Sequence, residues 1–236
     1  MACQANVNYQ EVFMKHFTVP SHLFARILVY TTGLVLLMFG TALSIRSNLG
    51  TTCSASLGQN LSLLTGISLG TVLLFINLVF VAVQLILTKR RNYIQILLQI
   101  PINFLSSWLI DQCMLWANTW NMDSLLLRFL LLLVSFPFIA LGAVGTIVPN
   151  FAPTTPDGIV QTISDRFGWK LANVKNIFDI CQVAAASVLF LSLRGSLGSV
   201  HVGTILSALL IGRFVGIFMK YLAPLLPFHS SPENQV

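Results

Sequence analysis

Six long apolar segments, separated by short polar ones, make up most of this chain. They cover residues 24–45, 68–88, 93–116, 125–148, 171–193 and 200–222. Each is close to the roughly 20 residues that an α-helix needs to cross the hydrocarbon core of a bilayer. A membrane β-barrel would instead show alternating strands of about ten residues. The pattern therefore predicts an all-α polytopic membrane protein with six transmembrane helices.

Two further segments, residues 48–66 and 150–168, are neither spans nor ordinary loops. Each opens with small and polar residues, continues with apolar residues at helical spacing, and ends at a glycine, Gly66 or Gly168. Both are too short to span, so each predicts either a re-entrant helix or an amphipathic helix on the membrane surface. Small residues in the first segment favour the re-entrant arrangement, because they permit close helix packing. The apolar positions are Leu57, Leu61, Leu64 and Ile159, Ile163, Phe167.

The chain also repeats itself. A shift of 102 positions places residues 24–120 on residues 126–222 without a gap. Each copy contains three spans, so the second copy would enter the membrane in the opposite orientation. We therefore expect two inverted three-span repeats, 24–120 and 121–222, between an N-terminal segment (1–23) and a C-terminal tail (223–236). Matched identities include Arg26 with Arg128, Gly40 with Gly142, Asn48 with Asn150, Thr52 with Thr154, and Gln59 with Gln161.

Composition and charge agree with this class of protein. Hydrophobic residues form 56% of the chain and charged residues 8%, whereas a soluble domain carries about 25% charged residues. The net charge of +6 comes from basic residues concentrated in the loops on one side, which predicts that both termini are cytoplasmic and gives no reason to expect a nucleic-acid partner. The first span is expected to act as an uncleaved signal anchor. The basic loop residues on the cytoplasmic side are Lys15, Lys89, Arg90, Arg91, Arg166 and Lys170.

The segment from Thr154 to Gly158 has the sequence of a helix N-terminus. Thr155 suits the N-cap, Pro156 suits the first helical position, and a carboxylate in the first turn complements the helix dipole. Asp157 is therefore either a capping charge or, with the free N–H groups, part of a site for a solute or an ion. Thr154, Thr155, Asp157 and Gly158 are candidate binding residues.

The equivalent segment in the first copy, which contains Thr52, Ser54 and Ser56, has no carboxylate. Its helix N-terminus is therefore free to receive an anionic group. These three residues are candidate binding residues, and the difference suggests that the two short helices have different roles.

Few ionisable residues fall inside the spans, where they are costly and usually functional. Asp179 lies about two turns into the fifth span, and Lys175 is four residues before it on the same helical face. The two form either a self-neutralising pair or a site in which Asp179 couples transport to a proton or Na⁺. Asn77, at the position equivalent to Asp179, is a candidate solute contact or a helix–helix hydrogen-bond donor.

Asp111 in the third span and Arg213 in the sixth occupy equivalent positions in the two copies. If both lie near the axis that relates the copies, they form a buried pair; if not, each faces its own side of the membrane. Alternatively, Asp111 simply ends its span at the outer interface. Arg213 either snorkels to the interface or binds a substrate carboxylate or phosphate. His201, equivalent to Gln99, is either a titrating group or a hydrogen-bonded packing residue.

Common enzyme motifs are absent from the sequence, including HExxH, GxSxG, a Walker loop and paired carboxylates at catalytic spacing. We therefore expect no enzymatic activity, and transport driven directly by ATP lacks the phosphate-binding machinery that it needs. The four cysteines stand apart from one another, so neither a structural disulfide nor a zinc site is expected, and no cofactor is predicted.

Two sets of residues carry a resemblance to a known family. They are Arg26, Gly33, Gly40, Asn48-Leu49-Gly50, Leu57, Gly66-Ile67-Ser68-Leu69-Gly70 and Asn77, then Pro156-Asp157-Gly158-Ile159-Val160, Val174-Lys175, Asp179, Gly198 and Val202-Gly203-Thr204. This order resembles the YczE/YyaS/YitT-like group of bacterial membrane proteins over residues 24–222. The resemblance implies a bacterial inner-membrane protein with five or six spans, and it implies little about activity.

Together these features predict a small secondary transporter or permease for a small polar solute, anionic or zwitterionic. Residues 52–56 and 154–158 would bind the solute, Arg213 would hold a negative group, and Asp179 would provide coupling. Besides the lipid bilayer and the solute, a second copy of the chain is an expected partner, because 236 residues are few for a transporter. The alternatives are a substrate-capture subunit of a larger transporter and a non-transporting factor for membrane assembly or regulation.

Overall fold

The computed structural model describes residues 23–88, 93–149, 151–195 and 198–222. Within these ranges the chain forms eight α-helices and no strands, and six of the helices are long and apolar enough to cross a membrane. The helices are α1 (Leu23–Arg46), α2 (Cys53–Thr65), α3 (Leu69–Leu87), α4 (Tyr93–Asn118), α5 (Leu125–Ile147), α6 (Thr155–Phe167), α7 (Leu171–Arg194) and α8 (Val202–Leu222). The six predicted spans are confirmed, each end within two residues of the prediction.

Several residues used in the sequence analysis lie outside the described residues. These are residues 1–22 of the N-terminal segment, the tail 223–236, Asn150, and the basic residues Lys15, Lys89, Arg90 and Arg91. The predicted cytoplasmic position of the termini depends largely on them and stays a prediction.

The two short helices end as the sequence predicts. Gly66 and Gly168 close α2 and α6 in the left-handed conformation, with φ angles of 72° and 69°. Their N–H groups donate to the carbonyl oxygens of Ser62 and Ser164 at 2.9 and 2.8 Å. Glycine adopts this conformation without the steric cost of a Cβ atom, which is why it is favoured at the end of a helix.

The start of α6 differs by one residue from the prediction. Thr154 is the N-cap and Thr155 is the first helical residue, so Pro156 occupies the second helical position. The Gly158 N–H donates to the Thr154 carbonyl oxygen at 2.7 Å, which closes the first turn. The Thr155 hydroxyl instead donates to Asn103 Oδ1 on α4 at 2.9 Å. Local preference does not distinguish the two adjacent threonines as N-cap residues. The observed N-cap, Thr154, is accompanied by the tertiary contact of Thr155 with α4.

The centre of the bundle is the pair α1 and α5, which approach each other at glycines. A Cβ atom added to Gly33 would lie 2.6 Å from the backbone carbon of Gly145, and one added to Gly40 would lie 2.7 Å from the Ile139 nitrogen. Small residues permit such approach in a membrane, where association depends on packing rather than on the hydrophobic effect.

The remaining helices surround this pair in an arrangement that both copies share. α1 packs against α4 as α5 packs against α8, and each short helix packs against a span of the other copy: α2 against α7, and α6 against α3. Each short helix also contacts the span that follows it. One pair breaks the pattern, because α3 packs along α4 whereas α7 and α8 are barely in contact.

The first short helix, α2, turns small and polar residues inward. The buried positions of α2 are Ala55, Ser56, Gly58 and Asn60, whereas its predicted apolar stripe is only half-buried and Leu63 is exposed. No charged residue occurs in α2. An outward apolar face with an inward polar face is the reverse of what a helix on the membrane surface needs, and it favours the re-entrant arrangement.

Candidate functional site

Three charged side chains meet near the beginnings of α6 and α7. Lys175 Nζ lies 3.1 Å from Asp157 Oδ1 and 3.2 Å from Asp179 Oδ1. The Thr154 hydroxyl donates to Asp157 Oδ2 at 2.7 Å. Asp157, Lys175 and Asp179 are termed the ion triad below.

The local structure of both helices positions the triad. Lys175 and Asp179 share a face of α7 because they are four residues apart. Asp157 lies in the first turn of α6, and the turn at Gly168 brings α6 back against α7. The pair that the sequence predicts on α7 therefore has a third member from the neighbouring short helix.

The triad is only partly covered by the described residues. At 1.5 Å per helical residue, Lys175 and Asp179 lie about 6 and 12 Å along α7 from Leu171. Their side chains are 33% and 27% exposed, and that of Asp157 is 41% exposed. Each of the three charged side chains therefore keeps part of its surface uncovered by the described residues.

The first turn of α2 lies beside the triad. Cys53, the first residue of α2, is within electrostatic range of Asp179 and Lys175. Seven residues later on each helix, Asn60 Nδ2 donates to the Ala186 carbonyl oxygen at 2.8 Å. The equal steps show that α2 and α7 run side by side in the same direction, so both short helices begin near the same charges.

The candidate residues of α2 occupy this first turn and the residue before it. Thr52 is the N-cap, yet its side chain makes no capping hydrogen bond. Ser54 is half-buried. Ser56 is fully buried and donates to the Cys53 carbonyl oxygen at 2.7 Å. The Ala55 N–H donates to the Thr52 carbonyl oxygen at 3.1 Å, so the N–H groups without an intrahelical acceptor at the start of α2 are those of Cys53 and Ser54.

Two polar residues that the sequence analysis missed lie close to the triad. Tyr30 on α1 is buried, its hydroxyl has no hydrogen-bond partner among the described residues, and it lies within electrostatic range of Asp157. Gln182 on α7 is also buried, and its Nε2 donates to no acceptor in the described part of the chain. Gln182 follows Asp179 by three residues on the same helical face, so helical spacing alone could have identified it.

Thr155 and Gly158 fix α6 in place rather than joining the triad. Gln84 on α3 and Gln99 on α4 form two reciprocal hydrogen bonds of 3.1 Å, and Gln84 Nε2 also donates to the Thr155 carbonyl oxygen at 3.4 Å. A Cβ atom added to Gly158 would lie 2.5 Å from Gln99 Nε2. The glycine therefore lets the start of α6 lie directly on this glutamine pair.

Asp111 and Arg213 do not form the pair that their equivalent positions suggested. Both oxygens of the Asp111 carboxylate are used on α3: Oδ1 accepts from the Gly70 N–H at 2.7 Å and Oδ2 accepts from the Ser68 hydroxyl at 2.8 Å. Asp111 thus binds the N-terminal end of α3. Arg213 is exposed on α8 and makes no hydrogen bond or ion pair with another described residue.

Asn77 and His201 also stay outside the triad. Asn77 is half-buried on α3 and forms no hydrogen bond with a described residue. His201 is exposed just before α8, where its backbone N–H donates to Thr204 Oγ1 at 3.4 Å. In the part of the chain that the structure describes, no cluster of three His, Cys, Asp or Glu residues could hold a metal ion.

Comparisons with known proteins agree with the resemblance seen in the sequence. The chain matches the family described as "Family of unknown function (DUF6198)" over residues 24–220. It is 28% identical over 211 residues to "Uncharacterized protein YyaS" of Bacillus subtilis (strain 168), which covers 87% of this chain and 96% of that protein. No solved structure matches the chain. With its six apolar helices, the chain belongs to the DUF6198 family and is a YyaS-like bacterial membrane protein.

Proposed function

We propose that this protein is a small secondary transporter for a polar solute, and that the ion triad binds the solute or its coupling ion. The observation that carries the proposal is the position of Asp157, Lys175 and Asp179, which meet between a short helix and a span and remain partly open. Ionisable groups at such places are expensive for a membrane protein to keep, so they usually mark a solute or ion pathway.

The balance of charge supports a binding role over a purely structural one. The triad has two carboxylates and one ammonium group, with the Thr154 hydroxyl as a further donor. A pair that only had to satisfy itself would need one carboxylate for Lys175. The second carboxylate leaves a site that attracts a positive group, which suits a coupling ion or a charged part of a solute.

The arrangement of the short helices supports the same function. We propose that the two repeats are inverted, so that α2 and α6 enter the membrane from opposite faces and begin near the same charges. Each short helix packs against a span of the other copy, so movement of one copy against the other would change access to the triad. Rocking of two repeats around a central site is a common mechanism of secondary transport.

An unbiased uptake experiment tests this proposal. Proteoliposomes with an imposed proton or Na⁺ gradient would be incubated with a mixture of amino acids, amines, carboxylates and phosphate, and the vesicle contents measured by mass spectrometry. We expect one class of solute to accumulate. Asp179→Asn and Lys175→Gln should reduce its uptake at least about tenfold, since each removes a charge from the triad. Asp165→Asn, an exposed position near the end of α6, is the matched control and should transport normally.

Two results would contradict the proposal. Normal uptake by both triad variants would show that the triad is not the site. No uptake by the wild type, together with a protein partner that purifies with it, would favour the substrate-capture subunit. We also propose that the protein is not an enzyme, and turnover of a soluble substrate by the purified protein would contradict this separate proposal.

A further inference from the structure

We infer that the solute is a small zwitterion, with an ammonium group that binds Asp157 and Asp179 and an acidic group that binds the first turn of α2 beside Gln182. This inference rests on the proposed function and specifies its substrate class. The two halves of the site are carried by different observations.

The cationic half is shown by the way Lys175 is bound. Its Nζ is a primary ammonium group that contacts one oxygen of Asp157 at 3.1 Å and one of Asp179 at 3.2 Å. A solute ammonium group offers the same charge and the same N–H donors. Because two carboxylates surround a single lysine, a second ammonium group brings the cluster to neutrality, which favours its binding in a poorly solvated place.

The anionic half depends first on Gln182. Its side chain is 5% exposed and its Nε2 donates to no described acceptor. A buried donor without a partner costs free energy that an acceptor on a ligand would recover. Gln182 precedes Ala186 by one turn, just as Ser56 precedes Asn60, and Asn60 is bonded to Ala186. Because α2 and α7 run parallel, Gln182 lies beside the first turn of α2.

The first turn of α2 is itself suited to an acidic group. The Ala55 N–H donates to the Thr52 carbonyl oxygen at 3.1 Å. The N–H groups of Cys53 and Ser54 lack intrahelical acceptors, as at the start of every α-helix, and the helix dipole adds a partial positive charge. The Thr52 side chain does not cap it, and α2 has no acidic residue in its first turn. In α6 the equivalent place is taken by Asp157, which is bonded to Thr154. One short helix therefore supplies a carboxylate and the other can receive one.

The two halves are close enough for one small molecule. Asp179 and Gln182 are three residues apart on α7, so their side chains are neighbours on the helix surface. Cys53 at the start of α2 is within electrostatic range of Asp179. A molecule whose ammonium and acidic groups are separated by one or two carbon atoms would bridge these positions, which is the chemistry of an amino acid or an aminosulfonate.

Matched probes separate the two halves. Binding to the purified protein would be followed by the thermal midpoint in detergent, at constant ionic strength, for a zwitterion panel (glycine, leucine, glutamine and taurine), for methylammonium and for acetate. A ligand that binds only the folded state stabilises it by RT ln(1 + c/Kd), where c is the free ligand concentration, so the rise of the midpoint with ligand concentration gives the affinity. We expect at least one zwitterion to bind tenfold or more tightly than either methylammonium or acetate.

Variants assign each group of the probe. Asp179→Asn should weaken zwitterion and methylammonium binding about tenfold and leave acetate unchanged, whereas Gln182→Leu should weaken zwitterion and acetate binding and leave methylammonium unchanged. Asp165→Asn and Gln95→Leu are the matched controls, neither of which belongs to the site. If Asp179→Asn fails to fold, Gln182→Leu still tests the inference. An apolar residue of similar size is well tolerated in place of a buried amide side chain whose partner is absent.

The outcomes are distinct from those of the uptake experiment. A zwitterion panel that binds no better than methylammonium and acetate, or Gln182→Leu with unchanged zwitterion binding, overturns the inference. Binding of a zwitterion that is never accumulated supports the site and contradicts transport. Accumulation of a solute with only one sign of charge supports transport and contradicts the zwitterion.

Discussion

The second and third spans of the two copies, α3 and α4 in the first and α7 and α8 in the second, are related in sequence but packed differently. In the first copy, the buried Gly70 lets α3 lie directly against Ser107 of α4, and Asp111 binds the start of α3. In the second copy the equivalent positions are Ala172 and Arg213, both exposed, and α7 and α8 are barely in contact.

Helix electrostatics explain much of this difference. The start of a helix carries unpaired N–H groups and a partial positive charge, so a carboxylate from a neighbouring span binds it and a guanidinium group is repelled. In the first copy the Asp111 carboxylate binds the start of α3. In the second copy Arg213 is at the equivalent position, and its positive charge does not bind the start of α7. The consequence for function is that the loosely packed span, α7, is the one that holds Lys175 and Asp179.

Gly70→Ala should disrupt the contact between α3 and α4, which is termed the first junction below, and should have the largest effect on stability. Its Cβ atom would overlap the Ser107 carbonyl oxygen and lie 2.7 Å from the Asp111 carboxylate. Backbone atoms move little, so we expect a loss of about 3 kcal/mol of stability, at the upper end of overpacking costs. Thermal unfolding in detergent measures it.

The control for that variant is Gly212→Ala on α8, where no atom lies within 4 Å of an added Cβ. It should match the wild type or gain up to about 1 kcal/mol from helix propensity. Equal stability of Gly70→Ala and the wild type would show that α3 and α4 are not as close as described.

Asp111→Ala should weaken the same junction by a smaller amount. It removes two hydrogen bonds to a carboxylate, those from Gly70 and Ser68, and leaves the start of α3 without this partner. Such bonds contribute about 1.5–3 kcal/mol, and partial exposure places the expected loss near the lower value. Asp123→Ala, an exposed position before α5, is the control and should change unfolding by less than about 0.5 kcal/mol.

Much of this architecture follows from short-range physics and was predictable from the sequence. Apolar length predicts the six spans, because a bilayer imposes that length on any helix. Gly66 and Gly168 predict where α2 and α6 end, because glycine adopts the left-handed conformation of a helix end without steric cost. The pair Lys175–Asp179 follows from helical spacing alone.

The rest depends on contacts between distant segments. Asp157 joins the triad because the chain reverses between α6 and α7. The residues next to Asp157 in the sequence do not predict that Lys175 is its partner. The burial of Tyr30 and Gln182 is likewise decided by which helices pack together. Asp111 and Arg213 share one position of the repeat, and only the packed structure shows that one binds a helix end while the other is exposed.

The double variant Ala172→Gly with Arg213→Asp tests the comparison directly. It places the glycine and the aspartate of the α3–α4 contact at the equivalent positions of α7 and α8. We expect α7 and α8 to approach the about 8–10 Å separation of packed helices and stability to rise by about 1 kcal/mol. Spin labels at the exposed positions Ile177 and Ile217 would report the distance. An unchanged distance would mean that residues other than these two keep α7 and α8 apart.

Arg213→Leu alone should have the smallest effect on stability, less than about 0.5 kcal/mol, because the side chain is exposed and has no partner among the described residues. Transport is the more informative measurement. If Arg213 binds a negative group of the solute, Arg213→Leu lowers uptake while the thermal midpoint and the α7–α8 distance stay constant. If it only keeps α8 away from α7, uptake falls together with that distance. Unchanged uptake in Arg213→Leu would remove Arg213 from the candidate site and leave the ion triad and the first turn of α2 to account for binding.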